Sequence, residues 1–169
     1  MELVKFTKEK FESLSKNIDT LQEMMVWAGP KYKFPLTFEQ LKERTEQKID
    51  NKQKTYLFNL FDDIGKETIG FIEIEILDNN IRLGSIQSVM IYKGYRGEKY
   101  SEVLLNLAIT YAYDKLKLNS LELKVFSFNK PAISCYKKVG FVEEKTYDHT
   151  DLKTGKSFQL IKFHAQSRL

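Results

Sequence analysis

Residues Leu83 to Leu105, LGSIQSVMIYKGYRGEKYSEVLL, decide how the rest of the chain is read. Ile86, Val89, Met90 and Ile91 give a strand of apolar and β-branched residues. It runs into Gly94-Tyr95-Arg96-Gly97, after which helical periodicity takes over. A strand, a tight basic loop and a helix make a phosphate-binding arrangement. The first turn of the helix leaves backbone N–H groups unpaired and carries the positive end of the helix dipole. An anionic ligand belongs at this loop.

Downstream, Leu104, Leu107, Ala108, Tyr111 and Ala112 fall at helical spacing from Tyr100, with Leu116 continuing the face, and the helix is expected to stop near Asn119. Leu121, Leu123 and Val125 then alternate as a strand to about Phe128. Strand, helix, strand implies a right-handed crossover and a parallel pair. Upstream, Thr55 to Phe61 and Glu67 to Leu77 read as strands separated by the turn residues Asp62, Asp63 and Gly65. Asp78-Asn79-Asn80 turns the second of them into the central strand, giving an antiparallel meander. Along that second strand Phe71, Glu73 and Glu75 share one face and Ile72, Ile74 and Ile76 the other, and the glutamate face is expected to be solvated. The sheet is therefore mixed.

The ends of the chain complete it. Glu2 to Phe6 reads as a strand, and Thr7 can cap a helix carrying Phe11, Leu14 and Ile18. A second helix runs from about Thr20 to Trp27 and ends at Gly29-Pro30. Thr37-Phe38-Glu39-Gln40 has the form of a capping box and starts a charged helix to about Asp50, read as a solvated face. After Asn129-Lys130-Pro131 a short helix carries Ile133, Tyr136 and Val139 and stops at Gly140. Phe141 to Tyr147 and Phe158 to His164 form a closing hairpin around Asp151 to Gly155.

With 169 residues, 42% of them hydrophobic and 30% charged, the chain reads as one domain, 1–169, able to bury a core without staples. A net charge of +4 suits an anionic ligand but is too small an excess to argue for nucleic acid. The single cysteine, Cys135, excludes an intramolecular disulfide and a cysteine-based zinc site, and no metal is expected. It reads as a small buried apolar residue, and His149 and His164 as isolated structural or surface residues. MELVKFTKEKFESL lacks the apolar core of a signal peptide, and no apolar run is long enough to span a bilayer. The expectation is a cytoplasmic protein with no membrane partner.

The element order and two local sequences together resemble the GNAT N-acetyltransferase superfamily. Asn129-Lys130-Pro131-Ala132-Ile133-Ser134-Cys135-Tyr136-Lys137-Lys138-Val139-Gly140-Phe141 matches the superfamily's N-x-x-A-x-x-x-Y-x-x-x-G-F at every fixed position. The loop Tyr95-Arg96-Gly97-Glu98-Lys99-Tyr100-Ser101 is similar to its pyrophosphate-binding pattern Q/R-x-x-G-x-G/A, with Arg96 at the first position. Lys99 stands where the pattern has Gly, and Ser101 where it has Gly or Ala. Lys99 either pairs with a phosphate or crowds it. Glu98 and Glu102 place negative charge beside the same anion, worth about 0.3–1 kcal/mol each against it. Trp27-Ala28-Gly29-Pro30 followed by Phe34-Pro35-Leu36-Thr37 also resembles a segment of many small bacterial members, where it helps shape the acceptor pocket.

The resemblance implies an α/β GNAT fold, a mixed, mostly antiparallel sheet of six to seven strands flanked by helices, with a central parallel β-α-β pair. It implies transfer of an acetyl group from acetyl-CoA to a primary amine, on a small molecule or a protein, by direct attack. Val89, Met90 and Ile91 would take the pantetheine arm as an added strand, and backbone N–H groups there would hold the thioester carbonyl. Arg96, Gly97, Glu98, Lys99, Tyr100 and Ser101 would hold the pyrophosphate, with Asn129 and Ala132 completing the cofactor site. Tyr136 is the implied general acid for the departing thiolate. An amine of pKa about 10.4 is neutral in only about one molecule in a few thousand at pH 7, so a base or a water chain must strip it. Some relatives carry Glu on the strand before the Asn, where this chain has Lys124; Glu73, Glu75 or a water chain are the substitutes. A GNAT-fold acyl-CoA-binding or interaction module with impaired catalysis is the competing reading. Many members are dimers, so a homodimer is compatible with the resemblance.

Overall fold

In the computed structural model, which describes residues 1–150 and 157–166, the chain opens with β1 (Glu2–Lys5), α1 (Phe11–Ser15), α2 (Leu21–Ala28) and α3 (Phe38–Glu46). A short hairpin comes next, β2 (Lys48–Ile49) and β3 (Lys52–Gln53), then the meander β4 (Thr55–Asp62), β5 (Glu67–Asp78) and β6 (Leu83–Ile91). The chain continues through α4 (Tyr100–Asp114), β7 (Ser120–Phe126), α5 (Lys130–Lys138), β8 (Val142–Thr150) and β9 (Ser157–Gln166). Seven strands form one sheet in the order β1-β4-β5-β6-β7-β9-β8, antiparallel throughout except for β6 and β7. The mixed, mostly antiparallel sheet and its parallel β6-α4-β7 unit are as the pattern implied.

Two irregularities set β6 apart from the other strands. Its pairing with β7 holds only from Leu83↔Ser120 to Ser85↔Glu122, after which the two strands have no further register. Its pairing with β5 slips between Phe71↔Met90 and Glu73↔Gln87, so β6 carries an extra residue there. Ser88 sits in this bulge at φ 50°, a left-handed conformation uncommon for a residue with a Cβ.

Helices cover both faces of the sheet. On one, Leu104, Leu105, Ala108 and Ala112 of α4 pack on Ile72, Ile74, Ile86 and Leu121. On the other, Leu14, Met24 and Leu41 of α1, α2 and α3 pack with Phe71, Met90 and Tyr92. Each isoleucine or leucine removed from water in this way contributes roughly 1.5–3 kcal/mol.

The structure differs from the sequence reading mainly at helix ends. After Thr7 comes a 3₁₀ turn and only the short α1, and the Thr7 side chain makes no capping bond. Asn17 accounts for the early stop: its Nδ2 donates to Ser13 O at 2.7 Å and its Oδ1 accepts from Lys93 N at 2.6 Å. The helix expected to reach Asp50 ends at Glu46, because Asp50 and Asn51 take left-handed φ values of 49° and 62° and turn β2 into β3. The helix expected to reach Asn119 ends at Asp114. Leu118 N donates to Ala112 O, six residues back, at 3.1 Å, and Lys117 at φ 57° turns the chain off the helix. The expected hairpin turn from Asp151 to Gly155 lies outside the described residues, while β8 and β9 pair in antiparallel register on either side of it.

Candidate active site

The loop at the start of α4 has the form of an anion cradle. Gly97 stands at φ 94° and Lys99, the N-cap residue, at φ 60°. Lys99 thus adopts the left-handed conformation for which glycine is favoured, and the loop keeps its turn without one. The backbone N–H groups of Lys99, Tyr100 and Ser101 donate to no acceptor among the described residues, and no side chain caps the helix. Arg96 Nε donates to Ile91 O at 3.1 Å, so the guanidinium is anchored at the end of β6. Glu102, whose charge opposes an anion here, is paired with Lys138 Nζ at 3.1 Å. Gly97, Glu98 and Lys99 are exposed, and Tyr100 and Ser101 half-buried.

The other residues singled out from the sequence lie around the parted strands. Met90 and Ile91 are buried and Val89 half-buried in the part of β6 that has left β7. Asn129 caps α5, its Oδ1 accepting from Ala132 N at 3.3 Å, which brings those two cofactor candidates together. Tyr136 packs its ring on Phe141 and Phe163, with centroids 6.3 and 6.4 Å away. Burial, and then the neighbouring Cys135, push its hydroxyl well above the ordinary phenol range, which keeps it protonated. Cys135 is half-buried and its thiol is likewise pushed up by burial. Lys124 is exposed on β7.

The expected solvation of Glu73 and Glu75 is wrong. Both are buried, Glu73 with no exposed surface at all. β5 is a central strand with helices on both faces, so alternation along it does not mark a solvent side. Tyr32 donates to Glu73 Oε1 at 2.6 Å, while Lys31 Nζ and Arg44 Nε each lie 3.5 Å from Glu73 Oε2. Arg44 Nη2 and Gln87 Nε2 reach Glu75 Oε2 at 3.2 and 2.6 Å, and Lys54 Nζ lies 3.4 Å from Oε1. Arg44 belongs to α3, the helix read as a solvated face, and it turns inward from it. Burial pushes the Lys31 ammonium down, against the pull of Glu73, and pushes the Tyr32 hydroxyl up, with Glu73 adding to the rise.

This charged cluster grips the bulge of β6. Lys31 Nζ donates to Gln87 Oε1 at 2.7 Å and Ser88 Oγ at 2.8 Å, and Trp27 Nε1 donates to Ser88 O at 2.7 Å. Trp27 itself stacks on Tyr32 and meets Phe71 edge-on. Sequence reasoning placed Trp27 to Thr37 near an acceptor pocket but missed Lys31, Tyr32, Arg44 and Ser88 individually. A glutamate pair on a strand with helices predicted on both sides was the available signal for buried cationic partners.

The model of the acetyltransferase (GNAT) family matches residues 21–141. The chain belongs to this family. The match takes in α2, the whole meander, the α4 loop and α5 of this GNAT chain. An uncharacterized N-acetyltransferase derived from the SPbeta prophage of Bacillus subtilis is 26% identical over 92 residues, 47% of this chain and 51% of that protein. The GNAT chain thus spans about half the length of that curated relative. Solved structures match over nearly all of it. Spermidine N-acetyltransferase from Vibrio cholerae in complex with CoA and spermine aligns with a TM-score of 0.77 at 21% identity, over 97% of this chain and 94% of that one. A chimera of the Vibrio cholerae spermidine N-acetyltransferase and hSSAT aligns with a TM-score of 0.77 at 20% identity, over 98% and 96%. These likenesses establish the GNAT fold.

Proposed function

We propose that the chain acts as one domain, 1–169, in the cytoplasm, and transfers an acetyl group from acetyl-CoA to a primary amine by direct attack. The observation that carries this reading is the parting of β6 from β7 beyond Ser85 and Glu122, beside a loop whose N–H groups await an anion. Family membership, and relatives described as N-acetyltransferases, support it. When bound, acetyl-CoA supplies an activated thioester carbonyl.

The chain's own groups take these roles. Lys99, Tyr100 and Ser101 donate N–H groups to the diphosphate, Arg96 adds its guanidinium, and Gly97 and Glu98 carry the turn. The freed edge of Val89, Met90 and Ile91 pairs with the pantetheine amides. A trans peptide points its C=O and N–H in opposite directions. Because Ser88 O is turned toward Trp27, the N–H of Val89 faces away from α2, where it can donate to the thioester carbonyl. Asn129 and Ala132 hold the start of α5, from which Tyr136 delivers a proton to the departing thiolate. Glu73 is sealed and committed to Tyr32, so the amine's proton leaves through water, with Glu75, buried but less completely, the nearer of the pair to solvent. The left-handed Lys99 preserves the loop's turn, which argues against the reading as an impaired binding module.

Calorimetric titration with acetyl-CoA and CoA, then thiol release with primary amines, tests the proposal. Saturable micromolar binding and amine-dependent release are expected. Tyr136→Phe should then lower kcat by about 10²–10⁴-fold at unchanged donor affinity. The raised Tyr136 hydroxyl predicts a rate that climbs with pH as the amine is freed and does not fall below about pH 10. No binding of either thioester or thiol would overturn it.

A further inference from the structure

At the far end of α4 from the donor loop, a cavity of about 340 Å³ is ringed by Lys52, Arg82, Lys115 and Lys117. Its apolar wall comes from Ile76, Leu116, Leu118 and the ring of Tyr56. None of the four cations forms an ion pair or a side-chain hydrogen bond among the described residues. The lining includes no carboxylate; the nearby Asp50 is held by Asn79 Nδ2 at 3.4 Å. With 15 residues at a rise of about 1.5 Å each, α4 separates this cavity from the loop at its N-terminus by about 22 Å.

The ring of cations is built on a fixed frame. Arg82 and Lys117 both stand in the left-handed conformation, at φ 53° and 57°, the second in the turn that follows α4. Arg82 O accepts from Asn119 N at 2.8 Å, which ties the turn after β5 to the turn after α4. Gly84 lets Leu118 pack directly on β6, since a Cβ there would lie 2.4 Å from Leu118 Cδ1. Cationic side chains in backbone positions that cost of order 1 kcal/mol or more, around a cavity of ligand size, call for an occupant.

We infer that this cavity binds a small anion carrying two or more linked phosphoryl groups. Four cations around one hollow match several phosphoryl charges better than a single carboxylate. A nucleoside diphosphate and free pyrophosphate share that chemistry. Tyr56 also lines an adjoining groove of about 400 Å³ with Phe6, Phe38, Phe58 and Tyr111, which favours a ligand with an aromatic body. This site is independent of the proposed acetyl transfer.

Pyrophosphate and ADP are each titrated calorimetrically at low salt into the full chain, into Arg82→Asn/Lys117→Asn, and into Arg96→Ala. Asn tolerates the left-handed conformation, so the double variant keeps both turns. Saturable binding is expected, weakened about ten-fold or more in the double variant and retained in Arg96→Ala. In the part of the binding that the double variant removes, higher affinity for ADP than for pyrophosphate would identify the ligand as a nucleotide, and equal affinity as a phosphoryl chain alone. Lys115→Met, an exposed change, should weaken binding about three-fold or more even if the double variant fails to fold. Saturating pyrophosphate should also shift the amide resonances of Leu118 and Asn119. No saturable binding, or binding that the double variant and Lys115→Met both leave unaffected, would overturn the site.

Discussion

The two faces of β5 are built by opposite means. On one, Ile72, Ile74 and Ile76 meet the side chains of α4 in a core without charge. On the other, Phe71 is joined by Glu73 and Glu75, buried against Lys31, Arg44 and Lys54. The apolar face needs only volume and shape, so it yields stability. The charged face carries a desolvation cost that ion pairs at best offset, and a well-packed apolar face would serve stability as well. What the charges add is a grip on the bulge of β6, through Lys31 on Ser88 and Gln87 and through Gln87 on Glu75. One face holds the sheet together and the other fixes the backbone beside the proposed donor site.

The sharpest way to break this contrast is to remove one charge from the buried side. Glu73→Ala strands Lys31 and Arg44 beside an empty space and should cost about 3–5 kcal/mol of unfolding free energy in urea titrations. Replacing Glu73 and Arg44 together by leucine should recover much of that stability while thiol release stays low. Recovery of both would mean the cluster is structural only. On the apolar face, Ile74→Ala should cost about 2–5 kcal/mol by transfer and cavity terms, with no comparable effect on donor affinity in the folded protein.

Trp27→Phe asks a narrower question. It keeps the ring packed between Tyr32 and Phe71 but removes the donor to the buried Ser88 O, a loss of about 1–3 kcal/mol. The bulge carbonyl then lacks its restraint, and kcat should fall more than donor affinity. An unchanged kcat would remove Trp27 from any positioning role.

How much was legible in the sequence divides along the same line. The β6-α4-β7 unit could be read because strand period gives way to helix period after Gly94, and α5 because Asn129, Pro131 and Gly140 stand where its backbone needs them. Helix ends were misplaced where a non-glycine residue takes a left-handed turn, as Lys117 does, or where a side chain at the helix end is held by backbone far away in the sequence, as Asn17 is by Lys93 N. The buried glutamates were misread because a strand's alternation says which residues share a face but not whether that face is covered. Their partners come from α3, β6, the segment after α2 and the residue before β4, and nothing local in the sequence pairs Glu73 with Tyr32, 41 residues away.

Lys99 gives the smallest effect and the finest distinction. Its φ of 60° places a Cβ where the left-handed conformation costs roughly 1–2 kcal/mol, of which glycine's greater unfolded-chain freedom would return part. Lys99→Gly should therefore stabilise the fold by about 0.5–1 kcal/mol, read as a small rise in the urea midpoint. If the ammonium pairs with the donor's phosphates, the same variant binds acetyl-CoA more weakly, and the loss shrinks as salt is raised. If the side chain crowds the loop, binding tightens and the change is insensitive to salt. A strained lysine kept for its charge and one merely tolerated thus differ in the sign of a single measured affinity change.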